Sequence, residues 1–115
     1  MSTPKALVRR LIDRDGWSCA WHGKDCDPET LVVQHRANRG MGGRKSLNRL
    51  SNLILLDSHT NGLIESHAPT ASEALARGIK ISSYAEPSEV RIDHATHGLV
   101  WLNDDGTFKP VGEGE

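Results

Sequence analysis

Apolar residues along this chain fall into short, separated groups, and the spacing within each group predicts an element. Leu7, Val8, Leu11 and Ile12 recur at helical spacing, with Lys5, Arg9, Arg10 and Arg14 on the remaining face. Ser2 or Thr3 followed by Pro4 supplies a start for that helix, and Asp15-Gly16 supplies its stop. From Trp17 to Pro28 no period holds, which predicts a knuckle or irregular hairpin. Thr30-Leu31-Val32-Val33-Gln34 is β-branched-rich and predicts a short strand running into His35. Asn52-Leu53-Ile54-Leu55-Leu56 predicts a second one, followed by a helix from about Thr60 through His67. Thr70 and Glu73 fit a capping box for a further helix that Gly78 ends. Beyond Pro87, Glu89–Asp93 and Leu99–Asn103 alternate as strands, and Asp105-Gly106 is a hairpin turn before Thr107–Val111.

Composition narrows the class. At 115 residues there is room for one cored domain and not for two. No apolar run approaches the ~20 residues of a membrane span. The charged N-terminus has no secretory h-region. Two cysteines, Cys19 and Cys26, are too few for a disulfide scaffold, so the expected setting is the reducing cytoplasm. Net charge is only −1, yet it is unevenly spread: residues 1–50 hold ten Lys/Arg against five acids, and the remainder four against ten. Arg36, Arg39, Arg44, Lys45 and Arg49 occupy a glycine-rich stretch that no acid interrupts, a pattern that suits phosphate contacts. Trp17, Trp21 and Trp101 are expected as core or lid aromatics, and His67, His94 and His97 as solvent-facing.

The informative stretch is Gln34-His35-Arg36, the basic loop ending in Gly-Met-Gly-Gly, Ser51-Asn52 opening an apolar run, then a helix bearing Asn61 and Glu65. VQHRANRGMGG followed by LSNLILLDSHTNGLIESH resembles the H-N-H endonucleases of phages and mobile elements, in the ββα-metal superfamily. The resemblance covers roughly residues 14–110. It implies an α+β single domain over 1–115, with a ββα-metal core across about 30–67, an N-terminal helix and a C-terminal β-hairpin over about 87–111. It implies hydrolysis of DNA phosphodiester bonds, with His35 as the general base that takes a proton from the attacking water. An imidazole suits this because its ordinary pKa of ~6.5 leaves a basic nitrogen near neutrality. Asn52 would brace the loop, and one Mg²⁺ or Mn²⁺ would stabilise the phosphate and the leaving oxygen. Arg36, Arg39, Arg44, Lys45 and Arg49 would contact double-stranded DNA. A place in the host cytoplasm beside the phage DNA-packaging terminase is also implied.

Two positions depart from the family text. Gln34 stands where Asp, Glu or His is usual, and Asn61 stands where His is usual, giving an H-N-N variant. Asn61 and Glu65 are one helical turn apart and can face one ion, so Gln34, Asn61 and Glu65 are the candidate ligands. Related nucleases also hold a structural zinc on paired cysteines. Here the first pair matches Cys19 and His22, the second falls on Asp57 and Thr60, and Cys26 and His59 are expected to replace it. Two plain thiols in a packed knuckle, or a Cys19–Cys26 disulfide, are the alternatives. The neutral Gln34 and Asn61 leave open a second function: a catalytically degenerate module that binds DNA or a protein.

Overall fold

The structure, a computed structural model, describes residues 3–38 and 47–112. Arg39, Arg44 and Lys45 therefore lie outside the described residues. The described residues fold as a small α+β domain of three α-helices and two antiparallel sheets, with element order α1 (Lys5–Asp15), β1 (Leu31–His35), β2 (Leu53–Asp57), α2 (Ser58–Ser66), α3 (Ala68–Ala76), β3 (Ile92–His94), β4 (Gly98–Leu102) and β5 (Phe108–Pro110). One sheet is the β1–β2 hairpin and the other is a β3–β4–β5 meander. Among the described residues no helix is long and apolar enough to cross a membrane.

The β1–β2 hairpin divides the core. Its register pairs Leu31 with Asp57, Val33 with Leu55, Gln34 with Ile54 and His35 with Leu53. Because successive residues of a strand point to opposite faces, Leu53 and Leu55 leave one face while Ile54 and Leu56 leave the other. Leu53 and Leu55 pack with Leu11 of α1 and with Leu50. Ile54 and Leu56 pack with Ile64 of α2, Ala74 of α3, Ile79, and Ile92, Val100 and Leu102 of the second sheet. β2 is thus covered on both sides, which explains why its sequence is a continuous apolar run rather than an alternation.

Several local expectations are corrected. Pro4 itself is the N-cap of α1, without a side-chain cap bond, and the Leu7 and Val8 N–H groups donate to its carbonyl. Arg14 is buried rather than on the solvent face: Nη1 donates to Leu50 O at 2.7 Å and Nη2 to Leu53 O at 2.8 Å, bolting the end of α1 to the start of β2. α2 starts two residues earlier than its apolar pattern indicates, because Asp57 caps it by accepting the Thr60 N–H at 3.0 Å. The Thr70–Glu73 capping box does not form. α3 begins at Ala68 with proline in its first turn, where a missing N–H costs nothing, so Thr70 already lies inside the helix. Gly78 does end that region. Its φ is +74°, and a Cβ there would stand 2.0 Å from the Arg91 carbonyl oxygen. The C-terminal hairpin forms as β4–β5, with β3 added on its other edge. Trp17, expected as a core or lid aromatic, is 56% exposed and so not part of the core.

Candidate functional site

The β1–β2 hairpin places His35 and Asn52 at its loop-connected end. His35 is the last residue of β1, and its Nε2 lies 2.8 Å from Asn48 Oδ1. With that amide oxygen as acceptor, Nε2 carries the proton and Nδ1 keeps its lone pair. Asn52 is buried and fully engaged. Its Oδ1 accepts the Ala37 N–H at 2.8 Å, and its Nδ2 donates to Ala37 O at 3.1 Å and Leu47 O at 3.0 Å. One side chain therefore joins the two chain segments that flank residues 39–46. Asn48 carried no sequence signal, because its role depends only on where the second segment returns.

Gln34 leaves the hairpin on the Ile54 face, the face covered by α2, whereas His35 leaves beside Leu53 on the opposite face. Asn61 is half-buried and Glu65 exposed, on either side of the buried Ile64. Lys80 lies within Coulombic reach of Glu65, and the next residue, Ile81, donates its N–H to Arg36 O at 3.1 Å. The oxygen donors of Gln34, Asn61 and Glu65 suit a hard cation such as Mg²⁺ or Mn²⁺, with a single carboxylate among them.

Two of the expected phosphate contacts are corrected. Arg36 is fully buried. Nε donates to Gly78 O (2.9 Å), Nη1 to Ser51 O and Pro87 O (both 2.9 Å), and Nη2 to Val90 O (2.7 Å). Burial pulls its pKa down to about 10, so it stays cationic at neutral pH with no face left for a phosphate. Arg49 is held by Glu86 and Asp104, with Nη1 3.0 Å from Glu86 Oε1 and Nη2 2.7 Å from Asp104 Oδ2. The two carboxylates raise its pKa. Both arginines fasten the loop ends to the C-terminal half; an arginine's sequence context does not reveal whether carbonyls enclose it.

The cysteine knuckle forms a compact donor cluster. Cys19 and Gly23 exchange backbone hydrogen bonds of 2.8 and 2.7 Å around a tight turn, made possible by the positive φ of Gly23. The Ala20 N–H then donates to Leu55 O at 2.8 Å, docking the turn on β2. Cys19, His22, Cys26 and Asp57 come together with all their ligand atoms within 4.8 Å of one another. Asp57 Oδ1 lies 3.1 Å from His22 Nδ1, 3.2 Å from Cys19 Sγ and 3.7 Å from Cys26 Sγ. His22 Nδ1 is 3.4 Å from Cys26 Sγ and 3.9 Å from Cys19 Sγ. Zinc bond lengths of ~2.0–2.3 Å imply tetrahedral edges of roughly 3.3–3.8 Å, close to these separations. The Trp21 and Asp57 backbone N–H groups each point at Cys19 Sγ at 3.4 Å, as suits a thiolate ligand. These residues therefore fit a zinc-type ion.

His59, expected as the fourth zinc ligand, is exposed on the first turn of α2 and is not among the gathered donors; Asp57 takes that place. The register explains the exchange, since Asp57 ends β2 opposite Leu31 whereas His59 has already turned outward with the helix. Both cysteines are free thiols. In the cluster without a metal, burial, then Cys19 and Asp57, push the Cys26 thiol up to about 12. Burial works to raise the Asp57 pKa, but the bonds from Thr60, Cys19 and His22 outweigh it and hold the carboxyl well below its usual range.

A second gathering, Asp15 with His94 and His97, was invisible in sequence because its members are some eighty residues apart. It has the chemistry of a charge network rather than a metal site. Arg14 donates to both Asp15 oxygens at 2.7 and 2.8 Å, and His97 Nε2 lies 2.8 Å from Asp15 Oδ1. His94 Nδ1 accepts the Thr96 N–H at 3.1 Å, so Nε2 bears the hydrogen and has no lone pair for a cation. His94 is buried and His97 stacks on Phe108, which corrects the expectation that both face solvent.

Comparison of the chain with protein families, with curated proteins and with solved structures returned no match.

Proposed function

We propose that this chain is a metal-dependent DNA endonuclease or nickase of the H-N-N type. The observation that carries the reading is His35 at the end of β1, with Nε2 anchored on Asn48 while Asn52 clamps both ends of the adjoining loop. That arrangement holds an imidazole by one nitrogen and presents the other, as a general base requires. In the proposed step His35 Nδ1 takes a proton from water as the water oxygen bonds to phosphorus and the P–O3′ bond breaks, the departing 3′ oxygen taking a proton from solvent. A divalent cation on Gln34, Asn61 and Glu65 would neutralise charge at the phosphate. Asn48 fixes the ring, and Asn52 keeps the loop from swinging the base away. The donor cluster of Cys19, His22, Cys26 and Asp57 holds a structural zinc that fixes the knuckle against β2.

The test is nicking of supercoiled plasmid with Mg²⁺, Mn²⁺ or EDTA, with His35→Ala in parallel. Metal-dependent nicking lost in the variant is expected, with DNA binding retained; equal nicking by His35→Ala overturns the assignment. A second reading, a binding module without catalysis, is favoured by one feature: Gln34 and Asn61 are both neutral donors, leaving Glu65 as the one anionic group. DNA binding without cleavage under any metal would establish it instead.

A further inference from the structure

Asp57 is both the last residue of β2 and the N-cap of α2, and its two carboxylate oxygens face different partners. Oδ2 accepts the Thr60 N–H at 3.0 Å, inside the first turn of the helix. Oδ1 faces His22 Nδ1 at 3.1 Å and Cys19 Sγ at 3.2 Å. Four residues beyond the cap stands Asn61, and eight beyond it stands Glu65.

We infer that Asp57 is a positioning residue through which cation occupancy of the Cys19–His22–Cys26–Asp57 cluster sets the order and orientation of α2, and with it Asn61 and Glu65. The inference rests on the reading of that cluster as a metal centre. α2 has nine residues, too few to be stable on its own, so its order comes from Thr60 and Ile64 packing and from its cap. Without a cation, Oδ1 is held by hydrogen bonds from the Cys19 thiol and the half-exposed His22 imidazole, which leave the carboxylate more freedom than a metal bond would. A bond of ~2.0 Å from Oδ1 to a zinc ion removes that freedom and holds Oδ2 on the Thr60 N–H. Charge does not produce the effect. Two thiols, a neutral imidazole and a carboxylate sum to −1, and two thiolates, the imidazole, the carboxylate and Zn²⁺ also sum to −1, with two protons released to solvent. The helix end meets the same charge either way; what changes is how firmly it is held.

The experiment uses the full chain and Zn²⁺ alone. Binding is followed by competition with a chromophoric chelator, and order in α2 by amide hydrogen exchange over residues 60–65. In the unsubstituted protein zinc should slow exchange in α2 by about 10-fold, one unit on the logarithmic scale of protection. Asp57→Asn keeps a good cap but offers a neutral donor; its zinc affinity should fall at least 10–100-fold, and zinc should add no protection to α2. Asp57→Cys supplies a thiolate without a cap, and should bind zinc with α2 unprotected. Zinc binding that leaves α2 exchange unchanged in the unsubstituted protein overturns the coupling alone. Unchanged affinity in Asp57→Asn overturns Asp57 as a donor. A protein that takes up no zinc overturns the metal-centre reading, and this inference with it. None of these readouts depends on nuclease activity.

Discussion

Replacing Arg36 by methionine separates a structural arginine from a phosphate-binding one. Methionine retains much of the side-chain volume but none of the donors. Four bonds disappear, to the carbonyls of Gly78, Ser51, Pro87 and Val90, three of them buried and that to Val90 partly so. Hydrogen bonds to a charged group contribute ~1.5–3 kcal/mol each, and a carbonyl left buried without a donor costs ~1–3 kcal/mol. Against this stands relief from desolvating the guanidinium, whose burial is the first cause of its lowered pKa. Counting half of the lower bound for each lost bond, and one buried carbonyl stranded at the middle of its range, gives about 5 kcal/mol. That is comparable to the whole stability of many domains, at ~5–15 kcal/mol. Urea denaturation followed by tryptophan fluorescence measures it. At a slope of ~1.5 kcal/mol/M the midpoint should fall by roughly 3 M, or the variant should be unfolded in buffer. A midpoint shift below about 0.5 M, with DNA affinity reduced instead, would refute the burial argument and return Arg36 to the DNA surface.

Stability should also depend on pH in two stages. Burial, opposed by Asp15, lowers the His94 pKa, so the unfolded chain takes up a proton near pH ~6.5 that the folded chain refuses, and stability falls as pH drops below that value. The carboxyls of Asp15, Asp57 and Asp104 are held below their usual range, so their contribution is complete above pH ~3.9 and is lost as pH falls further, through their folded values. His94→Gln should flatten the urea-midpoint profile between pH 6.5 and 4, within ~0.5 unit at each end, and leave the lower limb in place; an unchanged upper limb would remove His94 as its source. Two glycines give opposite signs. Gly62 lies within α2 with nothing within 4 Å of a Cβ position, so Gly62→Ala should stabilise by ~0.5–1 kcal/mol. Gly78→Ala forces a Cβ onto the Arg91 carbonyl at positive φ and should destabilise by more than ~3 kcal/mol; thermal unfolding of the pair checks both.

What the sequence determined by itself was whatever short-range physics controls. Leu7, Val8, Leu11 and Ile12 specify α1 because a helix buries a stripe three and four residues apart, and only Leu11 needed to go fully inside. The β-branched run ending in His35, the apolar run from Leu53, and the Asp105-Gly106 turn settled the hairpins in the same way. Asn52 was expected as a brace only through the family resemblance, and its side chain makes three bonds to the segments that flank residues 39–46. The fates of the charged residues were not legible. Arg14, Arg36 and Arg49 read as solvent or DNA contacts, yet carbonyls and carboxylates enclose them, most of these 36 to 55 positions away. Asp57 displaced His59 from the donor cluster because strand register, which is set by pairing with β1, decides which neighbouring side chain faces Cys19. Asp15, His94 and His97 met only because α1 ends beside the β3–β4 turn. Periodicity and turn chemistry act over a few residues and are written locally; the partners of a charge are chosen by the packing of elements distant in the chain, and only the folded structure holds that choice.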